Sequence, residues 1–171
     1  KEYNHKLISE TIYKEKKIKN RQIKNLYLFS QPFYRLGICS TEDYVNFITE
    51  IIESINAEFK YIILHPSDDS LINSILKKSV KTNAKIIADN RKLNSETEYL
   101  TKENSIFASV NSSLLLYTKI SQSSEIIFLN NIFSERFRKA NYFFSCLNKF
   151  LYINNFNNPN ITILRKNYLS N

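Results

Sequence analysis

The chain holds two histidines, and one of them, His65, stands where an apolar run breaks off, in "YIILHPSDDS" at 61–70. Pro66 follows at once and forbids continuation of a strand ladder. An imidazole at such a place can donate a hydrogen bond to an anionic ligand or move a proton. A second group of polar side chains stands further on in "ASVNSSLLLYT" at 108–118, where Ser112 and Ser113 occupy an expected strand-to-helix turn. Free N–H groups and partial positive charge at a helix start bind anions, and two hydroxyls would add donors. Gly37 is the single glycine, so neither the dinucleotide fingerprint nor the P-loop can be present, since both need several glycines. Each residue also has an ordinary reading. Ser112 could simply cap a helix, His65 could bond a neighbouring carbonyl, and Asp68 and Asp69 could complement the dipole of a helix capped by Ser67. On one rim, however, the imidazole and the hydroxyls would make a phosphate site without glycine.

The elements that would carry them follow from hydrophobic periodicity. "NLYLFS" (25–30), "KYIIL" (60–64), "KIIAD" (85–89), "SIFASV" (105–110), "EIIFLN" (125–130) and "ITIL" (161–164) are short apolar runs of the kind buried on both faces of a parallel sheet. Between them, Ser40 can cap a helix whose inner face is Tyr44, Val45, Phe47, Ile48, Ile51, Ile52 and Ile55. A second helix starts near Ser67 with Leu71, Ile72, Ile75 and Leu76 inward, a short one covers 95–102, another opens at Ser112, and a long aromatic one spans 134–151. This alternation predicts an α/β, Rossmann-like parallel sheet with helices on both faces. Residues 1–24, rich in lysine with Leu7, Ile8, Ile12, Ile18 and Ile23 loosely spaced, read as a basic amphipathic entry helix or linker, and 25–171 as the domain. Ligands of such sheets lie beyond the carboxyl ends of the strands. Three stretches qualify: Gln31, Pro32 and on to Gly37; His65 to Asp69; and Asn111 to Ser113. The turn at Asn130 and Asn131 faces the same rim.

Composition narrows the field. With 171 residues and 43% apolar content the chain can bury one domain core. No apolar run approaches the ~18 residues of a membrane span, and no signal-peptide pattern opens the chain. Cys39 and Cys146 have no metal or redox spacing and read as reduced, unreactive thiols of a cytoplasmic protein. A net charge of +8 suits an anionic partner, which could be a membrane surface touched by the basic residues. Abundant lysine, asparagine and isoleucine dilute that signal, and no nucleic-acid-binding motif accompanies it.

"ILHP" (63–66) followed by "SVNSSLLL" (109–116) resembles the His-Pro and serine motifs of bacterial sialyltransferases of the lipooligosaccharide sialyltransferase and polysialyltransferase type. "LFSQPFYRLG" (28–37) and "STEDY" (40–44) resemble the strand, loop and acidic helix start that precede those motifs, and the likeness covers about residues 25–151. These families have a GT-B architecture of two Rossmann-like domains. The resemblance implies that this chain corresponds to one half, the C-terminal one that holds CMP-sialic acid. It implies that His65 contacts the donor phosphate and assists its departure, that Pro66 fixes the turn, and that Ser112 and Ser113 hydrogen-bond the phosphate. Transfer to a glycan or glycolipid acceptor would invert the anomeric centre with no metal and no cofactor. Gln31, Pro32, Gly37, Asn111, Asn130 and Asn131 are candidates for the nucleoside.

The acidic Asp/Glu-Asp-Gly motif that supplies the base in those enzymes is missing, because Gly37 follows leucine. With no methionine in the chain, the expectation is the donor-binding part of a longer enzyme, cytoplasmic or peripheral on the inner membrane face, which binds nucleotide more readily than it catalyses. Two alternatives stand beside it. His-Pro and Ser-Ser also resemble CDP-glycerol-type and other capsule or cell-wall transferases, and the charge alone fits a non-enzymatic basic binding module.

Overall fold

The computed structural model describes residues 23–68, 70–81, 83–87, 100–112, 115, 123–141, 144 and 161–163. Its frame is a six-stranded sheet of β1 (Asn25–Phe29), β2 (Phe59–Ile63), β3 (Ala84–Ile87), β4 (Ser105–Ser109), β5 (Glu125–Phe128) and β6 (Ile161–Ile163). All neighbours run parallel, in the order β3-β2-β1-β4-β5-β6. This is the Rossmann strand order, with the chain reversing direction across the sheet between β1 and β4. The proposed entry segment lies outside the described residues apart from Ile23 and Lys24.

All five β1 residues are buried, because successive side chains enter opposite cores. Leu26 and Leu28 join Ile62, Ile106, Ala108 and Ile127 in the larger core, while Tyr27 and Phe29 join Ile63, Phe107, Ile126 and Phe128 in the smaller. Register sets Tyr27 opposite both Tyr61 and Phe107. The three rings stack across adjacent strands, with centroids 4.8 and 5.4 Å apart, which adds to the area they bury.

Helix α1 (Thr41–Ser54) covers the larger core. Ser40 has the extended conformation of a cap, and its hydroxyl accepts the Asp43 N–H at 3.1 Å. All seven residues assigned to the inner face are buried. Helix α2 (Ser70–Ser79) buries Ile72 and Leu76, but Leu71 is 58% exposed and faces outward. It also begins three residues beyond Ser67, because Pro66 and Ser67 are occupied in a turn. The second face of the sheet is covered through Leu100 and Leu115, from connections that otherwise lie outside the described residues, as does most of the short helix expected at 95–102.

The aromatic helix departs from expectation. Helix α3 (Asn130–Arg136) starts earlier than predicted and ends at Phe137, whose ψ of 90° leads the chain out of the helix. The Ala140 N–H donates to the Phe137 carbonyl and the Asn141 N–H to the Arg138 carbonyl across a turn at 138–139, after which residues 140, 141 and 144 are helical again, within the expected 134–151. Ring packing sets this path. Phe133 lies 4.7 Å from Phe33, 5.0 Å from Phe47 and 4.7 Å from Phe137, and Phe144 reaches Phe33 at 5.6 Å. Burying that aromatic surface outweighs the helical bonds lost at the break. The segment after β5 thus lies on the α1 side of the sheet.

Candidate functional site

Parallel register sets Phe29, Ile63, Ser109 and Phe128 abreast at the carboxyl ends of β1, β2, β4 and β5. Two residues further along each strand stand Gln31, His65, Asn111 and Asn130. Four sequence-predicted residues therefore leave the same edge of the sheet from neighbouring strands, whose axes lie about 4.8 Å apart. The row crosses the β1/β4 switch point, where doubly wound sheets open a crevice for ligands.

The strand ends are tied together by short bonds. The Ser30 N–H donates to the Ile63 carbonyl at 2.9 Å, and the Leu129 N–H to the Ser109 carbonyl at 2.9 Å. The Ser109 hydroxyl donates to the Phe29 carbonyl at 3.1 Å. This fixes the bases of the loops that follow.

His65 to Asp68 form a β-turn, closed by the Asp68 N–H donating to the His65 carbonyl at 2.8 Å. Pro66 occupies the second position, where its fixed φ suits the turn. The Asp68 carboxylate folds back over that turn. Its Oδ2 accepts the His65 N–H at 2.9 Å, the Ser30 hydroxyl donates to the same oxygen, and the Tyr34 hydroxyl donates to Oδ1 at 3.3 Å. Ser30 Oγ also accepts the His65 N–H at 2.7 Å, so this N–H is shared. On the ring, Nδ1 accepts the Ser67 N–H at 3.1 Å. Asp68 is therefore a turn lock that joins the loops after β1 and β2, instead of a first-turn residue of α2.

Tyr44 on α1 supports the loop after β1 from below, its hydroxyl oxygen accepting the Gln31 N–H at 2.6 Å. Complete burial pushes its phenol well above the ordinary value, and the Asp68 charge pushes the same way, against the bonds from Gln31 and Ser30. The phenol stays neutral beside the carboxylate. Further out, the loop ends in a Schellman-type closure. The Ile38 N–H donates to the Phe33 carbonyl and the Gly37 N–H to the Tyr34 carbonyl, both at 3.2 Å, with Gly37 at a φ of +66°. Phe33 and Ile38 are both buried in the larger core beneath, as the apolar residues flanking this motif commonly are.

The remaining predicted residues divide by exposure. His65, Gln31, Pro32, Asn111 and Asn131 are half-buried, and Pro66 and Gly37 are exposed. Ser112 is 6% exposed, and its carbonyl accepts the Leu115 N–H at 3.1 Å as the chain turns toward helix. Ser113 lies outside the described residues. Asn130 is fully buried at the start of α3, where its Nδ2 donates to Asn131 Oδ1 at 3.4 Å.

Sequence reasoning missed Ser30, Tyr34 and Tyr44 as parts of the site and misassigned Asp68. The available signal was a serine ending a fully apolar strand and an aspartate three residues beyond the histidine. Elsewhere, burial, aided by Asp43, pushes the Cys39 thiol up from 9.0 to about 11 against the pull of Arg136, which leaves little thiolate at neutral pH. Cys146 lies outside the described residues. Among the described residues no cluster of His, Cys, Asp or Glu could hold a metal ion, and no helix is long and apolar enough to cross a membrane.

Comparison with family models, with curated proteins and with solved structures finds no match.

Proposed function

We propose that the chain is the donor-binding domain of an inverting, metal-independent glycosyltransferase that moves sialic acid from CMP-sialic acid to a surface glycan. The observation that carries this reading is the row of Gln31, His65, Asn111 and Asn130 at the switch point, with Pro66 and Ser112 beside it. A nucleotide laid along this edge would place its phosphate between the turn after β2 and the helix start after β4. In this reading the His65 ring and the Ser112 hydroxyl would be the donors, joined by Ser113, which lies outside the described residues. Gln31, Pro32, Gly37 and Asn111 belong to the loops around the nucleoside and Asn131 to the helix start beside them, whereas Asn130, fully buried at the start of α3, supports that edge from within.

The chemistry required of this domain is electrostatic. In the transfer, an acceptor oxygen bonds to the anomeric carbon while that carbon's bond to the CMP phosphate oxygen breaks, and the electron pair leaves with CMP. Donors already aimed at that phosphate stabilise the charge as it develops. The acceptor proton passes to a carboxylate outside this chain's described site, since both Asp68 oxygens already accept hydrogen bonds. The surplus of positive charge suits work at the inner face of the cytoplasmic membrane, next to the glycolipid acceptor.

Calorimetry tests the reading. CMP binds the wild-type chain, and His65→Ala weakens CMP by about tenfold, the loss of one charge-assisted hydrogen bond, while cytidine changes little. Absence of CMP binding at millimolar concentration overturns the proposal. In a thermal-shift comparison, CMP-sialic acid raises the melting temperature beyond CMP alone and CDP-glycerol does not. The opposite ranking would move the chain to the CDP-glycerol transferases.

A further inference from the structure

We propose that Asp68, acting with Ser30, is a positioning residue that presents the His65 imidazole to the ligand with its proton on Nε2. For the ligand this rests on the donor-binding reading above; for the ring it rests on geometry alone. Three bonds close the turn: the Asp68 N–H to the His65 carbonyl, the His65 N–H to Asp68 Oδ2, and the Ser67 N–H to His65 Nδ1. The third decides the tautomer. A nitrogen that accepts a hydrogen bond cannot carry the proton of a neutral imidazole, so Nε2 must carry it.

The Ser67 N–H points at Nδ1 only while the turn keeps its shape, and Asp68 holds that shape from two sides. It bonds the first residue of the turn, and it is anchored to β1 by the Ser30 hydroxyl and to the following loop by Tyr34. The donors meeting its two oxygens also satisfy the carboxylate locally, which reconciles an acidic side chain with a phosphate site next to it. Its negative charge is spent on the N–H and O–H groups of the strand ends. With Nδ1 engaged by the Ser67 N–H, the group left to the ligand is the Nε2–H donor, which would hydrogen-bond a phosphate oxygen.

The test is carried out on the full chain with two variants, Asp68→Asn and Ser30→Ala. Long-range proton–nitrogen correlation spectra at about pH 8.5, where a free imidazole is neutral, read the His65 tautomer without any ligand. The wild type shows His65 almost wholly as the Nε2–H form. In Asp68→Asn the Nδ1–H form becomes populated and CMP affinity falls by roughly tenfold, with cytidine affinity within about twofold. Ser30→Ala removes one anchor, keeps the carboxylate, and gives a smaller shift in the same direction; it decides the matter should Asp68→Asn fail to fold. A wild-type ring protonated on Nδ1, or variants that keep the wild-type tautomer, overturns the proposal. A wild type that shows the Nε2–H form but binds no CMP overturns the donor reading and leaves the positioning role intact.

Discussion

A single carboxylate joins segments far apart in the chain. Asp68 meets Ser30 across 38 positions, and this tie, more than any residue touching a ligand, gives the loop after β2 its place beside the loop after β1. Tyr44 does similar work for Gln31, and here the consequence can be measured. Tyr44→Phe keeps the ring packed between Phe33 and Tyr34, with centroids 6.3 and 5.7 Å away, but leaves the Gln31 N–H without its acceptor. Denaturant unfolding should show a loss of about 1 kcal/mol, the net contribution of one partly buried hydrogen bond; an unchanged midpoint would mean that another group or solvent takes over the bond. His65 and Pro66 were legible as the end of a strand because apolar residues stop there and proline bars continuation. The roles of Ser30, Tyr34 and Tyr44 were not legible. Ser30 and Tyr34 bond the Asp68 carboxylate from another segment and Tyr44 bonds the backbone of Gln31, and nothing in local spacing records which hydroxyl meets which partner.

Elements carry information of a different kind. The strands were readable as short apolar runs: β1 and β4 are buried throughout and β5 nearly so, as such runs require, while β2 and β3 keep the run although they are only partly buried. Helix α1 was readable because its cap and its inner stripe point to the same start. The boundaries of α2 and α3 were not, because each is set by a tertiary demand: the lock at Asp68 delays α2, and the rings around Phe33 and Phe47 break the aromatic helix at Phe137. Two substitutions separate local from tertiary causes. Ser40→Ala removes the hydroxyl that caps α1 and should lower stability by about 1 kcal/mol without changing CMP affinity, as read by parallel unfolding and calorimetry. Gly37→Ala meets no atom within 4 Å of the added Cβ, so any loss must come from the left-handed backbone, at about 1–2 kcal/mol. Gly37→Asn should recover part of it, since asparagine tolerates that conformation. Equal losses in the two variants would point to a cause other than backbone conformation.

For the molecule as a whole, the larger core makes alkaline pH the sensitive direction. Cys39 and Tyr44 are both neutral acids in the fold whose titration is pushed upward, chiefly by burial: the thiol from 9.0 to about 11, and the phenol well above 10.0. The unfolded chain releases these protons first, so the folded state binds more protons at high pH. Stability is then fully present below the unfolded values and drains away as pH climbs through the window above them. Lys60 works in the opposite sense. Burial lowers its titration against the pull of Glu53, while its ammonium donates to the Ile52 carbonyl at 2.9 Å, so raising the pH relieves a penalty there. Two groups against one leave a net fall, and the thiol contributes its share earliest. Melting curves recorded at steps from pH 7 to pH 11 should hold level to about pH 9 and then decline. Cys39→Ser removes the first contribution and should shift the onset of the decline upward, toward the phenol's range. Superimposable curves for the two proteins would show that the thiol ionises in the fold as readily as in the unfolded chain, and that the core beside α1 is open to water at that point.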